Sequence, residues 1–172
     1  MSVAVRAAVI TASTRAARGE RADESGPAMA ETLRGAGIEV IWTDLVPDEV
    51  ERIVASLRKA LRRGANLVLT TGGTGLSPND VTPEATRRVI ERDVPGIADA
   101  LRARSLTKTA HGMLSRGVAG AVGSALVVNL PGSPRAVRES LEFLLPAIPH
   151  AIELLAGESG EGGHARGRQR EA

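Results

Sequence analysis

Alternation of short apolar runs with amphipathic stretches restricts this chain to few folds. Residues 3–11, 38–43, 66–71 and 124–130 are apolar and mostly β-branched, short enough for buried strands. Between them lie stretches with helical spacing. Val50, Ile53, Val54, Leu57, Ala60 and Leu61 form one apolar stripe, and Val137, Leu141, Leu144, Leu145, Ile148, Ile152 and Leu155 form another. Pro146 and Pro149 must kink or split the second. Residues 110–121 read as a further strand. Ser25, Asp48 and Thr82 stand where helix N-caps belong, with Pro27 and Pro83 suited to first turns. Strand and helix in alternation imply an α/β fold with a mostly parallel sheet covered on both faces.

Residues 1–156 are expected to form one domain. Residues 157–172, GESGEGGHARGRQREA, carry no apolar anchor and read as a disordered tail. Several chemistries are excluded. No cysteine is present, so disulfide scaffolds, cysteine zinc sites, iron–sulfur clusters and thiol nucleophiles are out. The lack of cysteine also suits a cytoplasmic protein. Trp42 and Phe143 are the only aromatic residues, too few for base stacking, and the net charge is +2. Nucleic acid is therefore not an expected partner. Nor is a membrane: the longest uncharged stretch, residues 117–134, holds four Gly and two Pro. The first apolar run reads as a strand and not as a signal peptide.

Ligands of open α/β sheets bind beyond the carboxyl ends of the strands. The unusual loops all fall there: 12–24, 44–48, 72–82 and 131–134. The third follows a strand as Thr70-Thr71-Gly72-Gly73-Thr74-Gly75. It is neither a P-loop nor the dinucleotide fingerprint, because no GxxxxGK[ST] occurs and Pro78 stands where a third Gly is due. It is either a tight turn or a cradle of amides for an anion. Asp80 beside it is either a turn residue or a carboxylate that holds Mg²⁺ against phosphate. Asp48 is either a helix cap or its partner in a magnesium pair. Ser115 and Arg116 either grip an anion or are plain strand residues. Pro131-Gly132-Ser133 starts a helix, whose N-terminus attracts phosphate. His111 and His150 lack ligand-spaced partners, and no nucleophile–base pair stands out.

Taken together, TTGGTGLSPNDVTPEAT at 70–86, LSRGVAGAVGSALVVNLPGSP at 114–134 and VPDE at 46–49 resemble the Mog/MoaB family of molybdenum-cofactor biosynthesis. The resemblance spans roughly residues 3–156. It implies a three-layer α/β/α domain of the molybdopterin-binding type with a mixed sheet, assembled as a trimer. It also implies an adenylyltransferase that uses Mg²⁺ and ATP to adenylylate molybdopterin, releases pyrophosphate and passes its product to a molybdenum-insertion protein. Asp80 matches the essential motif aspartate of the family and Asp48 a second functional one. Both are expected to be catalytic and to hold the metal. The substrate-binding residues expected from the matching loops are Thr71, Gly72, Gly73, Thr74, Gly75, Ser77, Thr82, Ser115, Arg116, Pro131, Gly132 and Ser133. The other reading the resemblance allows is a MoaB-type binding or assembly protein without its own catalysis.

Overall fold

A computed structural model describes residues 3–157; the expected tail lies outside the described residues, apart from Gly157. Six strands form one mixed sheet: β1 (Arg6–Ala12), β2 (Glu39–Val46), β3 (Leu67–Thr71), β4 (Arg92–Asp93), β5 (Ala119–Val122) and β6 (Ala125–Leu130). Their order is β2-β1-β3-β6-β5-β4. The first four in that order run parallel, while β5 is antiparallel to both β6 and β4. The helices are α1 (Thr14–Ala17), α2 (Ser25–Gly35), α3 (Val50–Arg62), α4 (Thr82–Arg87), α5 (Pro95–Leu106), α6 (Pro134–Leu144) and α7 (Ile148–Leu155).

The period-two alternation of a strand divides the core into two layers. Ala7 and Val9 of β1, Leu67 and Leu69 of β3 and Leu126 and Val128 of β6 face one side. There they meet Met29 and Leu33 of α2, Val137 and Leu141 of α6 and Ile148 and Ile152 of α7. Ala8, Ile10, Val68 and Val127 face the other side, against Ile53, Val54 and Leu57 of α3 and Ala85 of α4. Each fully buried Leu or Ile contributes about 1.5–3 kcal/mol. The three-layer α/β/α arrangement is therefore written in the alternation of each strand. Trp42 of β2 is covered by two cations, Lys59 of α3 and Arg63 just past its end, with Lys59 Nζ 5.5 Å and Arg63 Cζ 5.7 Å from its ring centre. Such contacts stabilise by roughly 0.5–1 kcal/mol at exposed sites.

Some local expectations are corrected. Residues 110–121 are not one strand: Ala110–Leu114 is a 3-10 helix and β5 begins only at Ala119. Gly112 packs closely there, where an added Cβ would lie 2.7 Å from Ser105 Oγ and 2.9 Å from Leu106 N. The two-residue strand β4 has too little pattern to be visible in sequence. The last helix divides at Pro146 as expected, with a 3-10 turn over Leu145–Ala147. Among the described residues no helix is long and apolar enough to cross a membrane.

One buried polar network crosses the sheet. Asn129 of β6 donates through Nδ2 to Thr70 Oγ1 and Thr86 Oγ1, both at 2.9 Å, and its Oδ1 accepts from Val118 N at 3.1 Å. It thereby fixes α4 to two central strands. Asn129→Leu keeps the size but strands these groups, and is expected to cost about 2–4 kcal/mol. Urea denaturation should show it as a lower midpoint.

Candidate active site

Four parallel strands end on the same side, and the segments after them build a cleft. Its walls include Ser13, Arg21, Asp23 and Ser25 after β1, Asp48 after β2, Thr71 at the end of β3 with Gly72, Gly73 and Asp80 after it, and Gly132 after β6. The Pro131–Ser133 segment is tied down on both flanks. Thr71 Oγ1 donates to Pro131 O and Ser25 Oγ donates to Gly132 O, each at 2.6 Å.

The two aspartates are held differently. Asp48 does not cap α3; Glu49 occupies that cap position without a side-chain bond. Its Oδ2 instead accepts from Thr14 N at 2.7 Å and Thr14 Oγ1 at 3.0 Å, at the start of α1. Asp48 N donates back to Thr14 Oγ1 at 2.9 Å. β2 runs to Val46, the backbone at Glu49 is extended, and the Asp48 side chain bonds α1 rather than α3. Asp80 closes its own turn, with Oδ2 accepting from Ser77 N at 2.9 Å and its N–H donating to Ser77 O at 2.9 Å. Each carboxylate thus has one oxygen fixed by the protein. The Oδ1 of each has no hydrogen-bond partner among the described residues.

Glycine is required where the loop passes Asp48. Gly72 and Gly73 have φ of +90° and +64°. A Cβ on Gly73 would lie 2.4 Å from Thr82 Oγ1 and 3.3 Å from Asp48 Oδ1. Only a residue without a side chain leaves that approach open. Thr82 does not cap α4: Val81 holds the cap position and Thr82 is fully buried. Its Oγ1 is the one buried side-chain polar atom without a partner among the described residues.

The remaining expected site residues separate. Thr74 is buried, and Gly75 backs onto Asp80, whose Oδ2 is 2.9 Å from where a Gly75 Cβ would be. Ser77 supports the Asp80 turn. Ser133 caps α6 by accepting from Ala136 N at 3.2 Å. Ser115 and Pro131 line a second cavity beside the cleft, together with Ala98, Leu101, Arg102 and Ser105. Arg116 was expected to grip an anion, but its guanidinium bonds protein groups: Gly75 O, Asp80 O and the Glu84 carboxylate. The contact with Arg116 holds the Glu84 carboxyl below its ordinary pKa and raises that of Arg116. A lowered folded pKa means that this contribution to stability is present above the ordinary carboxylate value and is lost as pH falls through the folded one.

Asp23 is the residue that sequence reading missed. Its Oδ1 accepts from Gly26 N at 3.0 Å and its Oδ2 from Thr11 Oγ1 at 2.8 Å, so Asp23 and not Ser25 bonds the first turn of α2. The signal was an Asp three residues before a Gly-Pro helix start.

Mg²⁺ prefers oxygen ligands, keeps several waters and uses one or two carboxylates together with substrate phosphates. Two aspartates lining one polar cleft suit that habit. Among the described residues no group of three or more His, Asp or Glu forms a complete protein cage. The two carboxylates fit a magnesium ion that binds together with a phosphate ligand.

The chain is similar to known proteins over most of its length. Residues 8–150 match the family described as a probable molybdopterin binding domain. The chain is 40% identical to molybdopterin adenylyltransferase of Helicobacter pylori over 87% of this chain and 86% of that protein. It is 41% identical to gephyrin of Dictyostelium discoideum over 86% of this chain, but spans only 22% of that longer protein. The crystal structure of the molybdopterin biosynthesis enzyme MoaB from Thermus thermophilus superposes with a TM-score of 0.83 at 50% identity, covering 89% of this chain and 97% of that one. With the mixed six-stranded sheet and its cleft, these matches show that the chain belongs to the molybdopterin-binding family of molybdenum-cofactor biosynthesis proteins, that of Mog and MoaB.

Proposed function

We propose that this chain is a molybdopterin adenylyltransferase acting on Mg²⁺-ATP. The observation that carries the reading is one cleft that gathers Asp48, Asp80, Gly72 and Gly73 and adjoins a second, less acidic cavity across Pro131-Gly132. Two substrates need two pockets meeting at one point. The acidic cleft suits the metal-bound triphosphate, and the Ser115 cavity, with apolar Ala98, Leu101 and Pro131, suits the pterin. The close similarity to a named molybdopterin adenylyltransferase supports the same assignment.

In the reaction a terminal phosphate oxygen of molybdopterin attacks the α-phosphorus of ATP. The new P–O bond forms as the bond to the bridging α–β oxygen breaks, and pyrophosphate leaves with that electron pair. The nucleophile is already an anion, so no side chain must activate it. Catalysis is positioning and charge neutralisation. A bound Mg²⁺ would supply positive charge to the phosphate oxygens, and Asp48 and Asp80 are the residues that would hold it. The Gly72–Gly73 backbone and the start of α6 at Ser133 orient the phosphates, with Thr71 and Gly132 closing the wall. Thr74, Gly75, Ser77 and Thr82 support the loop from behind.

The reading extends to the wider setting: a cytoplasmic homotrimer that delivers adenylylated molybdopterin to a separate molybdenum-insertion protein. Exposed Leu76 and Met113 supply apolar surface that such assembly would use.

Pyrophosphate release from Mg²⁺-ATP, measured with and without molybdopterin, tests the assignment. Release that depends on the pterin, with an adenylylated product by mass, supports it. Untouched ATP beside a bound pterin would instead favour a binding or assembly role. Thr14→Val removes the hydroxyl that braces Asp48, and is expected to lower turnover about tenfold with a raised Mg²⁺ requirement. A magnesium titration of the variant measures this.

A further inference from the structure

Arg116 makes more contacts across the fold than its expected role requires. Its backbone N–H donates to Thr74 O at 2.8 Å and its Nε to Gly75 O at 2.7 Å. Nη2 donates to Asp80 O and, at 3.4 Å, to Glu84 Oε2, while Nη1 donates to Glu84 Oε1. A guanidinium has five N–H groups, and four of these are engaged by protein. Little remains with which to hold a ligand.

The loop depends on these bonds. Among the described residues, the other hydrogen bonds made by residues 74–80 stay inside their own turn, between Ser77, Asn79 and Asp80. Every hydrogen bond from residues 74–80 to another part of the fold comes from Arg116. Glu84, on α4, closes the bracket from the far side. Asp80 lines the acidic cleft, and Ser115, the neighbour of Arg116 in sequence, lines the second cavity.

We propose that Arg116, locked by Glu84, is a positioning residue that fixes the spacing between the two pockets by pinning the Asp80 turn to the Ser115 segment. The proposal rests on the adenylyltransferase reading for its kinetic consequence but not for its structural one. In-line transfer between two bound phosphates is sensitive to displacements of about 1 Å, each able to cost on the order of a hundredfold in rate. Ground-state binding in either pocket is much less sensitive. Lysine cannot replace the bracket, because one ammonium cannot span two carbonyls and a carboxylate in the plane that the guanidinium occupies.

Three variants test it: Arg116→Lys, Glu84→Gln and the double variant. Arg116→Lys is expected to lower kcat about tenfold or more, while the calorimetric Kd for Mg²⁺-ATP and the fluorescence Kd for molybdopterin each change less than about threefold. Glu84→Gln should show a smaller loss of the same kind. The double variant should be no worse than Arg116→Lys alone, because the two act as one unit. Amide hydrogen exchange, which needs no turnover, should quicken in residues 75–80 of Arg116→Lys and stay unchanged in the central strands. A raised KM for either substrate with kcat intact would make Arg116 a ligand-binding group and overturn the proposal. Unchanged kcat with a lowered Tm would reduce it to a stabilising ion pair, and unchanged exchange in residues 75–80 would overturn it as well. Absence of pyrophosphate release from the wild-type chain would count against the adenylyltransferase reading alone, and the exchange result would still decide the bracket.

Discussion

Asp80→Asn should reduce molybdopterin-dependent pyrophosphate release by at least about a hundredfold while leaving the fold intact. The amide oxygen of Asn can still accept from Ser77 N, so the turn that Asp80 closes at 2.9 Å survives. What disappears is a negative charge facing the cleft. Losing one group aimed at developing or metal-borne charge costs on the order of 10²–10³ in rate. The discriminating pair of measurements is turnover and thermal melting on one preparation. Turnover above a tenth of wild type would sink the role given to Asp80. A large fall in Tm would mean that its charge is needed for the turn and not for the reaction.

The second large effect is on stability. Gly72→Ala is expected to destabilise the domain by about 2–4 kcal/mol, through left-handed backbone strain and overpacking together. Gly72 has φ +90°, and a Cβ there would lie 2.3 Å from the carbonyl oxygen of Ala12. That oxygen belongs to the last residue of β1, paired there with Val46 of β2 and following a strand held on both sides up to Thr11, so it has little room to step aside. For a domain of this size the melting temperature should fall by roughly 10 °C. Gly123→Ala is the control, with a positive φ of 53° and nothing within 4 Å of the added atom. It carries the backbone penalty without the collision, and its smaller fall measures the share due to crowding. Equal losses at the two positions would remove the argument from contact with Ala12.

The layered architecture was legible because it rests on strong periodicities. β3 and β6 are fully buried runs, and α3 and α6 carry clear apolar stripes. The location of the cleft was legible for a topological reason, since parallel strands deliver their following loops to one side. Local capping was misread at Ser25, Asp48 and Thr82, because short polar side chains cap whichever N–H the tertiary fold brings near. Thr14 lies 34 residues from Asp48, and no local pattern reports such a partner. Arg116 shows the same limit. The partners of its guanidinium are 32 to 41 residues away, so sequence shows a cation suited to anions but not the carbonyls and carboxylate already bound to it. The 3-10 helix over Ala110–Leu114 was hidden because apolar residues in a short run fit either backbone.

The fastening of the cleft has a consequence for how the chain acquires function during synthesis. The bonds that seal it join residues 34, 60 and 107 positions apart, the last between Ser25 and Gly132. Closing loops of that length costs entropy before any contact repays it, which makes such a topology slow to complete. β6 enters the sheet beside β3 only after residue 130 has emerged, and the Pro131–Ser133 wall follows it. A nascent chain arrested before that point holds both aspartates but has no enclosed cleft. An enclosed cleft is therefore expected late in synthesis, and a ligand of the cleft would select completed molecules from partly folded ones.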